Sequence, residues 1–486
     1  MEPLILALDQ GTTSSRALLI DSQGSVRATA QQPLPQCFPQ PGWVEYDPEM
    51  IWKTQIAVAQ SVVDMSGESW DQIVAIGITN QRETTVLWDP ETGKPLYNAI
   101  GWQDRRTSDE CGALKEHEAL IQKKTGLLLD PYFSALKARW ILDKCGCQRA
   151  AFGTIDSFLL HRLTGVHATD VTNASRTQLF NIHTGNWDKE LLELFGLDDL
   201  VLPAVRPSSG SFGTTHEGLF PKVLPVMGIA GDQQAALFGQ GCFETGSIKC
   251  TYGTGCFLLM HTGKTPVQSD SHLLTTVAAT TSDSLEYALE GSVFIGGAAI
   301  QWLHEGLNLF DQPEEVDELA KSVPDTAGVY FVPALTGLGA PYWQPQARGT
   351  IVGLTRGANA SHLARACLEG IAFQVADVID AMEIDAQAPI SSVRVDGGCA
   401  KSDLLMQFQS DLLGIPILRP RIQELTALGV AYLAGLAAGL WSDKNEIHAL
   451  WELEHTFRPQ IADAEREERR EEWFEAIACT KQWSAK

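Results

Sequence analysis

The chain has 486 residues, with 60 Asp and Glu against 36 Lys and Arg, and a formal net charge of -24. That balance argues against general binding to nucleic acid or to anionic membrane surfaces, which both need basic surface. At roughly 100–200 residues per domain the length allows two to four domains, and 44 % apolar with 20 % charged residues is ordinary for a globular chain with a large core.

Met1-Glu2-Pro3 leads straight into an apolar run at residues 4–8, so no signal peptide is expected there. The run has no polar alternation, as in a strand covered on both faces. Asp9-Gln10-Gly11-Thr12-Thr13-Ser14-Ser15-Arg16 follows at once. Backbone amides in a glycine loop and a row of hydroxyls suit phosphate. Asp9 is placed to hold Mg2+, through waters the ion gives up reluctantly. Arg16 is placed to neutralise charge on a transferred group. Residues 17–21 read as the hairpin partner of the first strand, with a turn at Ser22-Gln23-Gly24.

Asp47-Pro48 opens a helix over residues 48–63, with aspartate as N-cap and proline at the first helical position. A second buried strand, residues 73–79, runs into Asn80-Gln81-Arg82-Glu83-Thr84-Thr85. Adjacent Arg and Glu at a strand end offer donors and an acceptor together, which suits a polyol; ordinary surface charge is the alternative. Trp102 and Tyr132, and further on Phe257, offer rings for the carbon edge of such a ligand, or for core packing.

Ten cysteines in so long a chain do not make a disulfide framework, and Cys145-Gly146-Cys147 is too closely spaced for a metal pair. Free thiols in a reducing cytosol, and so a cytoplasmic protein, are expected.

Residues 226–230 read as a buried strand that ends in Gly231-Asp232-Gln233-Gln234, with a helix starting by Ala235. A lone carboxylate at a strand end, beside a glycine that leaves room for a ligand, is placed as a base. A helix N-cap is compatible with that role. Kinase aspartates accept the substrate proton as the phosphoryl group moves.

The helical pattern breaks at residues 241–246, the expected boundary between two similar α/β halves, residues 1–243 and 244–486. The theme then repeats. A strand over residues 246–251 meets Gly253-Thr254-Gly255, and a strand over residues 393–395 meets Asp396-Gly397-Gly398. The first loop suits phosphates, and the second lets backbone approach an adenine or ribose. Gly263-Lys264-Thr265 imitates the end of a P-loop, but Leu258 stands where its first glycine belongs. Residues 428–441 form an apolar helix too short to span a bilayer and broken by Gly435 and Gly439, so a buried helix without membrane insertion is expected. In the tail, residues 462–476, opposite charges at helical spacing around Trp473 and Phe474 read as a solvated helix.

These segments resemble the FGGY family of carbohydrate kinases over nearly the whole chain. The likeness is carried by Asp9 to Arg16, Pro41-Gly42-Trp43-Val44-Glu45, Asn80-Gln81-Arg82-Glu83-Thr84, Thr172-Asn173-Ala174-Ser175-Arg176-Thr177, Gly231-Asp232-Gln233-Gln234, and Thr251-Tyr252-Gly253-Thr254-Gly255-Cys256-Phe257. The resemblance implies two ribonuclease-H-like domains of the actin-like ATPase type, with a catalytic cleft between them that closes on ATP. It implies conversion of glycerol to sn-glycerol 3-phosphate with Mg2+ assistance. The first half would hold polyol and phosphate, and the second the nucleotide. By the same resemblance Arg82, Glu83, Tyr132, Asp232 and Gln233 hold glycerol hydroxyls, Trp102 and Phe257 pack its carbons, and Asp232 is the base. Thr12, Thr13, Ser14, Arg16, Thr254, Gly297, Gln301 and Gly398 match nucleotide-site positions. Ser402 stands where the family usually has Asn. Many bacterial relatives carry a glycine-rich loop for fructose 1,6-bisphosphate before the strand that leads to the base, but residues 212–226 hold only Gly213 and Gly218, so that regulation is not expected here. A homo-oligomer, dimer or tetramer, is expected from the family alone.

Two other readings compete. One is a kinase of another small polyol, such as erythritol, or of dihydroxyacetone. The other is an actin-like or chaperone-like ATPase that moves partner proteins, in which Arg82, Glu83 and the aromatic set would have no role.

Overall fold

The computed structural model describes residues 2–147 and 149–484; Met1 and Lys486, the outer ends of the two expected halves, lie outside them. Two mixed sheets organise the chain. The first is built from β1 (Leu4–Gln10), β2 (Ser14–Asp21), β3 (Val26–Pro33), β4 (Ile73–Asn80), β5 (Ser209–Thr214) and β6 (Pro225–Gly231), in the order β5-β6-β4-β1-β2-β3. The second is built from β7 (Ile248–Tyr252), β8 (Cys256–Gly263), β9 (Leu274–Val277), β10 (Tyr287–Val293), β11 (Val393–Asp396), β12 (Ile417–Pro420) and β13 (Leu453–Phe457), in the order β9-β10-β8-β7-β11-β12-β13.

The two sheets share one plan. An antiparallel trio (β1-β2-β3, and β7-β8-β10) continues on its other side into two parallel strands, β4 and β6 in one case, β11 and β12 in the other. Each also carries antiparallel edge strands. This is the expected pair of ribonuclease-H-like sheets. The first hairpin is tighter than expected: β2 begins at Ser14, so the turn after β1 shrinks to residues 11–13.

Helices cover the sheets: α1 (Pro48–Ser66), α2 (Asp232–Gly239), α3 (Gly297–Glu305), α4 (Ala360–Ala386), α5 (Asp403–Leu413), α6 (Leu425–Ala437) and α7 (Asp463–Ser484). Asp47 caps α1 by accepting from the Glu49 amide at 2.9 Å. The apolar run of β1 is explained by its two covers. Leu4, Leu6 and Leu8 pack with Ile51, Val58 and Val62 of α1, whereas Ile5 and Ala7 pack with Val430, Leu433 and Ala434 of α6. Alternation along a strand sends each set to its own face.

Helix α6 comes from the last quarter of the chain, yet it completes the core under the first sheet. It lies flush because glycines make room: a methyl on Gly77 would sit 2.6 Å from the Val430 carbonyl oxygen, and one on Gly228 2.6 Å from the Ala434 nitrogen. Its boundaries differ from residues 428–441. Gly439 takes a left-handed conformation with φ +74°, which turns the chain and sends Trp441 back against Gly435.

The tail helix is not simply solvated. Trp473 is fully buried, stacks on Phe373 of α4 at 4.9 Å, and donates its Nε1–H to Asp377 at 2.8 Å. Charges at helical spacing mark a polar face, but they did not exclude an apolar stripe between them. Among the described residues no helix is long and apolar enough to cross a membrane.

Candidate active site

Sheet register brings the loops together. Gln10 of β1 and Gly231 of β6 both pair with Asn80 of β4 in parallel register. The three chains therefore leave the sheet at one edge, carrying Gly11, Gln81 to Glu83, and Asp232. In the second sheet Thr251 of β7 pairs with Asp396 of β11, so Gly253-Thr254-Gly255 and Gly397-Gly398 emerge side by side. Only glycine fits at 397: φ is +91° and an added Cβ would lie 2.5 Å from the Tyr252 carbonyl oxygen.

Four charged side chains form the floor between the sheets. Arg82 donates Nη1–H and Nη2–H to the two carboxylate oxygens of Glu290 at 2.6 and 2.7 Å. Arg176 donates to Glu83 at 2.6 Å and to Glu290 at 3.2 Å. All four residues are almost completely inaccessible. Burial works against the charge of Glu290, but Arg176 and Arg82 outweigh it and hold its carboxyl down to about 2. Glu83 is held in a left-handed conformation, φ 62°, at the centre of a γ-turn in which the Thr84 amide donates to the Arg82 carbonyl at 2.7 Å. Such backbone costs roughly 1–3 kcal/mol and is found where the surroundings over-determine it.

Asp232 stands beside this floor at the first position of α2, its Oδ1 3.3 Å from Nε of Arg82 and accepting from the Gln233 amide at 2.7 Å. It is not an N-cap; Gly231 precedes the helix without a side-chain cap. An added Cβ on Gly231 would lie 2.7 Å from the Arg82 side chain. The Asp232 side chain is 29 % exposed toward the cleft, yet the protein mass around it raises its pKa to about 6. Arg82 and Lys249 counter that rise, while Glu83 and Asp9 reinforce it.

An aromatic wall completes this end. Trp102 meets Tyr132 edge to face at 5.5 Å and Phe257 at 6.4 Å. Trp102 Nε1–H donates to Thr12 Oγ1 at 3.1 Å, which ties the wall to the first loop. Gln233 accepts from Lys249 Nζ.

Asp9 and Arg16 are direct cross-strand partners and form an ion pair. Arg16 also reaches Glu424, just before α6, at 2.6 Å. The Thr13 carbonyl accepts from Leu34 at 2.8 Å, and Ser14 Oγ accepts from Gln31 at 3.0 Å.

The remaining expected positions lie in the second half of the chain, on the loops and helices around its sheet, and are used unequally. Thr254 is exposed at the tip of its hairpin. The Gly297 amide is already engaged, donating to the Gly253 carbonyl at 2.8 Å. It clips α3 to the hairpin, so Gly297 offers close approach but no free amide. Gln301 is exposed and pairs with Glu305. An added methyl on Gly398 would meet no atom within 4 Å, so this backbone faces open space. Ser402 caps α5, accepting from the Leu405 amide at 3.0 Å and donating to Asp317 at 2.7 Å.

Four site residues gave no role in the sequence reading: Arg176, Lys249, Glu290 and Glu424. Lys249 and Glu290 did carry a signal. Each is a lone charge in an otherwise strand-like run, and a charge is almost never fully buried without partners.

The sequence profile for the N-terminal domain of the FGGY family of carbohydrate kinases matches residues 4–239, and that for the C-terminal domain matches residues 248–438. The chain is 56 % identical to the glycerol kinase of Trichlorobacter lovleyi over 99 % of both chains. It is 55 % identical to that of Rhodopirellula baltica over 99 % of this chain and 91 % of the relative. Among solved structures, Plasmodium falciparum glycerol kinase with ADP superposes with a TM-score of 0.91 at 35 % identity, covering 99 % of this chain and 98 % of the other. Ligand-bound xylulose kinase from Lactobacillus acidophilus shares the fold with a TM-score of 0.88 at 24 % identity, over 99 % of both chains. The chain belongs to the FGGY family of carbohydrate kinases.

Proposed function

We propose that the cleft transfers the terminal phosphoryl group of ATP to a hydroxyl of glycerol, giving sn-glycerol 3-phosphate and ADP. The observation that carries this reading is Asp232, a carboxylate at the start of α2 that lies 3.3 Å from Arg82 and has its pKa raised to about 6; the Trp102 and Tyr132 rings suit a short carbon chain. The relatives named glycerol kinase support the substrate, and the ADP of the Plasmodium structure supports the nucleotide.

In this reading Trp102, Tyr132 and Phe257 cover the carbon edge of glycerol. Arg82, Glu83 and Gln233 hold its hydroxyls. Asp232 is ionised at neutral pH and accepts the hydroxyl proton as the new oxygen–phosphorus bond forms in line with the departing ADP oxygen. Thr12, Thr13, Ser14 and Thr254 line the phosphate path, and Gly398 leaves room for the nucleoside. Arg16 lies where charge gathers on the transferred group, held by Asp9 and Glu424. The donors at Asp9 fit Mg2+, which takes one or two protein carboxylates and otherwise keeps water and phosphate oxygens. The ion would supply charge neutralisation on the phosphates. Closing the cleft excludes water from the phosphoryl group. Residues 1–243 and 244–486 are the proposed polyol and nucleotide halves.

The test is ADP release from Mg-ATP with and without glycerol, followed by C3 to C6 polyols and ketoses. Stimulation by glycerol above all others is expected. Stimulation by a different polyol would move the substrate assignment, and ADP release indifferent to every polyol would sink the reading.

A further inference from the structure

The lone lysine in β7 is an unusual residue to find at the base of this cleft. Lys249 is fully buried, between the two sheets, and its charge is unfavourable there. An ammonium has three donors and no acceptor. All three are taken: by Gln233 Oε1, by Thr251 Oγ1 at 2.9 Å, and by the Phe257 carbonyl at 3.3 Å. Two of these partners, Gln233 and Phe257, are proposed polyol-site residues, one from each half of the chain.

We propose that Lys249 is a positioning residue that fixes Gln233 as a hydrogen-bond donor to the polyol. The inference rests on the polyol-kinase reading and deepens it. Because lysine cannot accept, Gln233 must offer it the carbonyl end of its amide. The amide nitrogen then points the other way, with no partner among the described residues, on a half-buried side chain next to Asp232. A hydroxyl oxygen that accepts from Gln233 keeps its own proton free for an acceptor. Freed from Lys249, the amide would turn through its two-fold torsion and offer either end. The ammonium therefore does not touch substrate. It sets which end of Gln233 does, and it ties that choice to the backbone under Phe257.

The test is a double-mutant cycle of Lys249→Met and Gln233→Ala, with kcat, the KM for glycerol, the KM for ATP and the thermal midpoint measured on each protein. Loss of the hydrogen bond from Gln233 to the polyol predicts about a tenfold rise in the glycerol KM for each single variant. The ATP KM should stay unchanged, and the double variant should be no worse than the Gln233→Ala single variant. Additive effects on the glycerol KM, or an unchanged KM in folded Lys249→Met, would overturn the role. Should Lys249→Met fail to fold, Gln233→Glu decides: it keeps an acceptor for Lys249 and removes the donor. Its glycerol KM should rise at least tenfold with the fold retained, and a wild-type KM would overturn the proposal. Absence of glycerol-dependent ADP release in the unaltered chain would overturn both readings. A glycerol-dependent wild type with additive variants removes only Lys249.

Discussion

Arg82 and Glu290 face each other across the floor of the cleft as a bidentate pair, at 2.6 and 2.7 Å, although 208 residues separate them in the chain. With Arg176 and Glu83 they form a ring of two positive and two negative charges. Each carboxylate has an arginine, so burial is tolerated. The arrangement leaves the Nε edge of Arg82 toward Asp232.

Arg82→Ala should therefore do two things at once. Removing one partner of a buried charge pair leaves Glu290 underpaired, and about 3–5 kcal/mol of stability should be lost. The glycerol KM should rise strongly if the enzyme still folds. Denaturant unfolding reads the first effect and steady-state kinetics the second; a variant with wild-type stability and KM would remove Arg82 from the site.

Asp232→Asn keeps the size of the side chain and removes the proton acceptor. Turnover should fall by roughly 10²–10⁴-fold, while calorimetry should still detect glycerol binding. Turnover near that of the wild type would rule out Asp232 as the base.

The pH dependence follows from the raised pKa of the same carboxylate, about 6. Below that pH Asp232 is protonated and cannot accept a proton; above it, it is ionised. The kcat/KM for glycerol should fall about tenfold per pH unit below 6 and level off above it. A profile flat down to pH 5 would contradict the assignment.

Gly429→Ala probes the helix that the end of the chain lends to the first sheet. An added methyl would lie 1.8 Å from the carbonyl oxygen of Ala235, the residue three after Asp232. Backbone cannot give way cheaply, so a loss of about 3 kcal/mol or more is expected, with a lower kcat as α2 shifts. A thermal midpoint within a degree of the wild type would show that the two helices are less tightly joined.

Trp473 and Phe474 are neighbours with opposite fates, fully buried and 48 % exposed. Trp473→Ala should cost about 3–5 kcal/mol, and Phe474→Ala only about 0.5 kcal/mol or less. Equal losses in denaturant unfolding would contradict the packing of α7 on α4.

Much of this was legible beforehand, for identifiable reasons. The runs at β1, β4 and β6 are apolar because both faces of the sheet are covered, and that local signal survives in one dimension. The glycine, hydroxyl and acidic residues after those strands stand out because little else tolerates a loop at a strand end. The length of α6 and the burial of Trp473 were not legible. Each depends on a partner, Gly435 with Trp441 in one case and α4 in the other, whose nearness appears only after folding.

By itself, the sequence determined the succession of strands, the loops that end them, and the positions of Asp9, Arg82 and Asp232. The tertiary structure decided what those groups face. Gly11, Arg82 and Asp232 converge because three parallel strands share a register edge. Glu290 and Lys249 join them because the second sheet packs its own strands against that edge. A buried charge takes whichever opposite charge or dipole the fold brings within about 3 Å, since leaving it unpaired costs more than any local preference can return. That choice is made across hundreds of residues, which is why Glu290 in β10 and Lys249 in β7 gave no local sign of their partners.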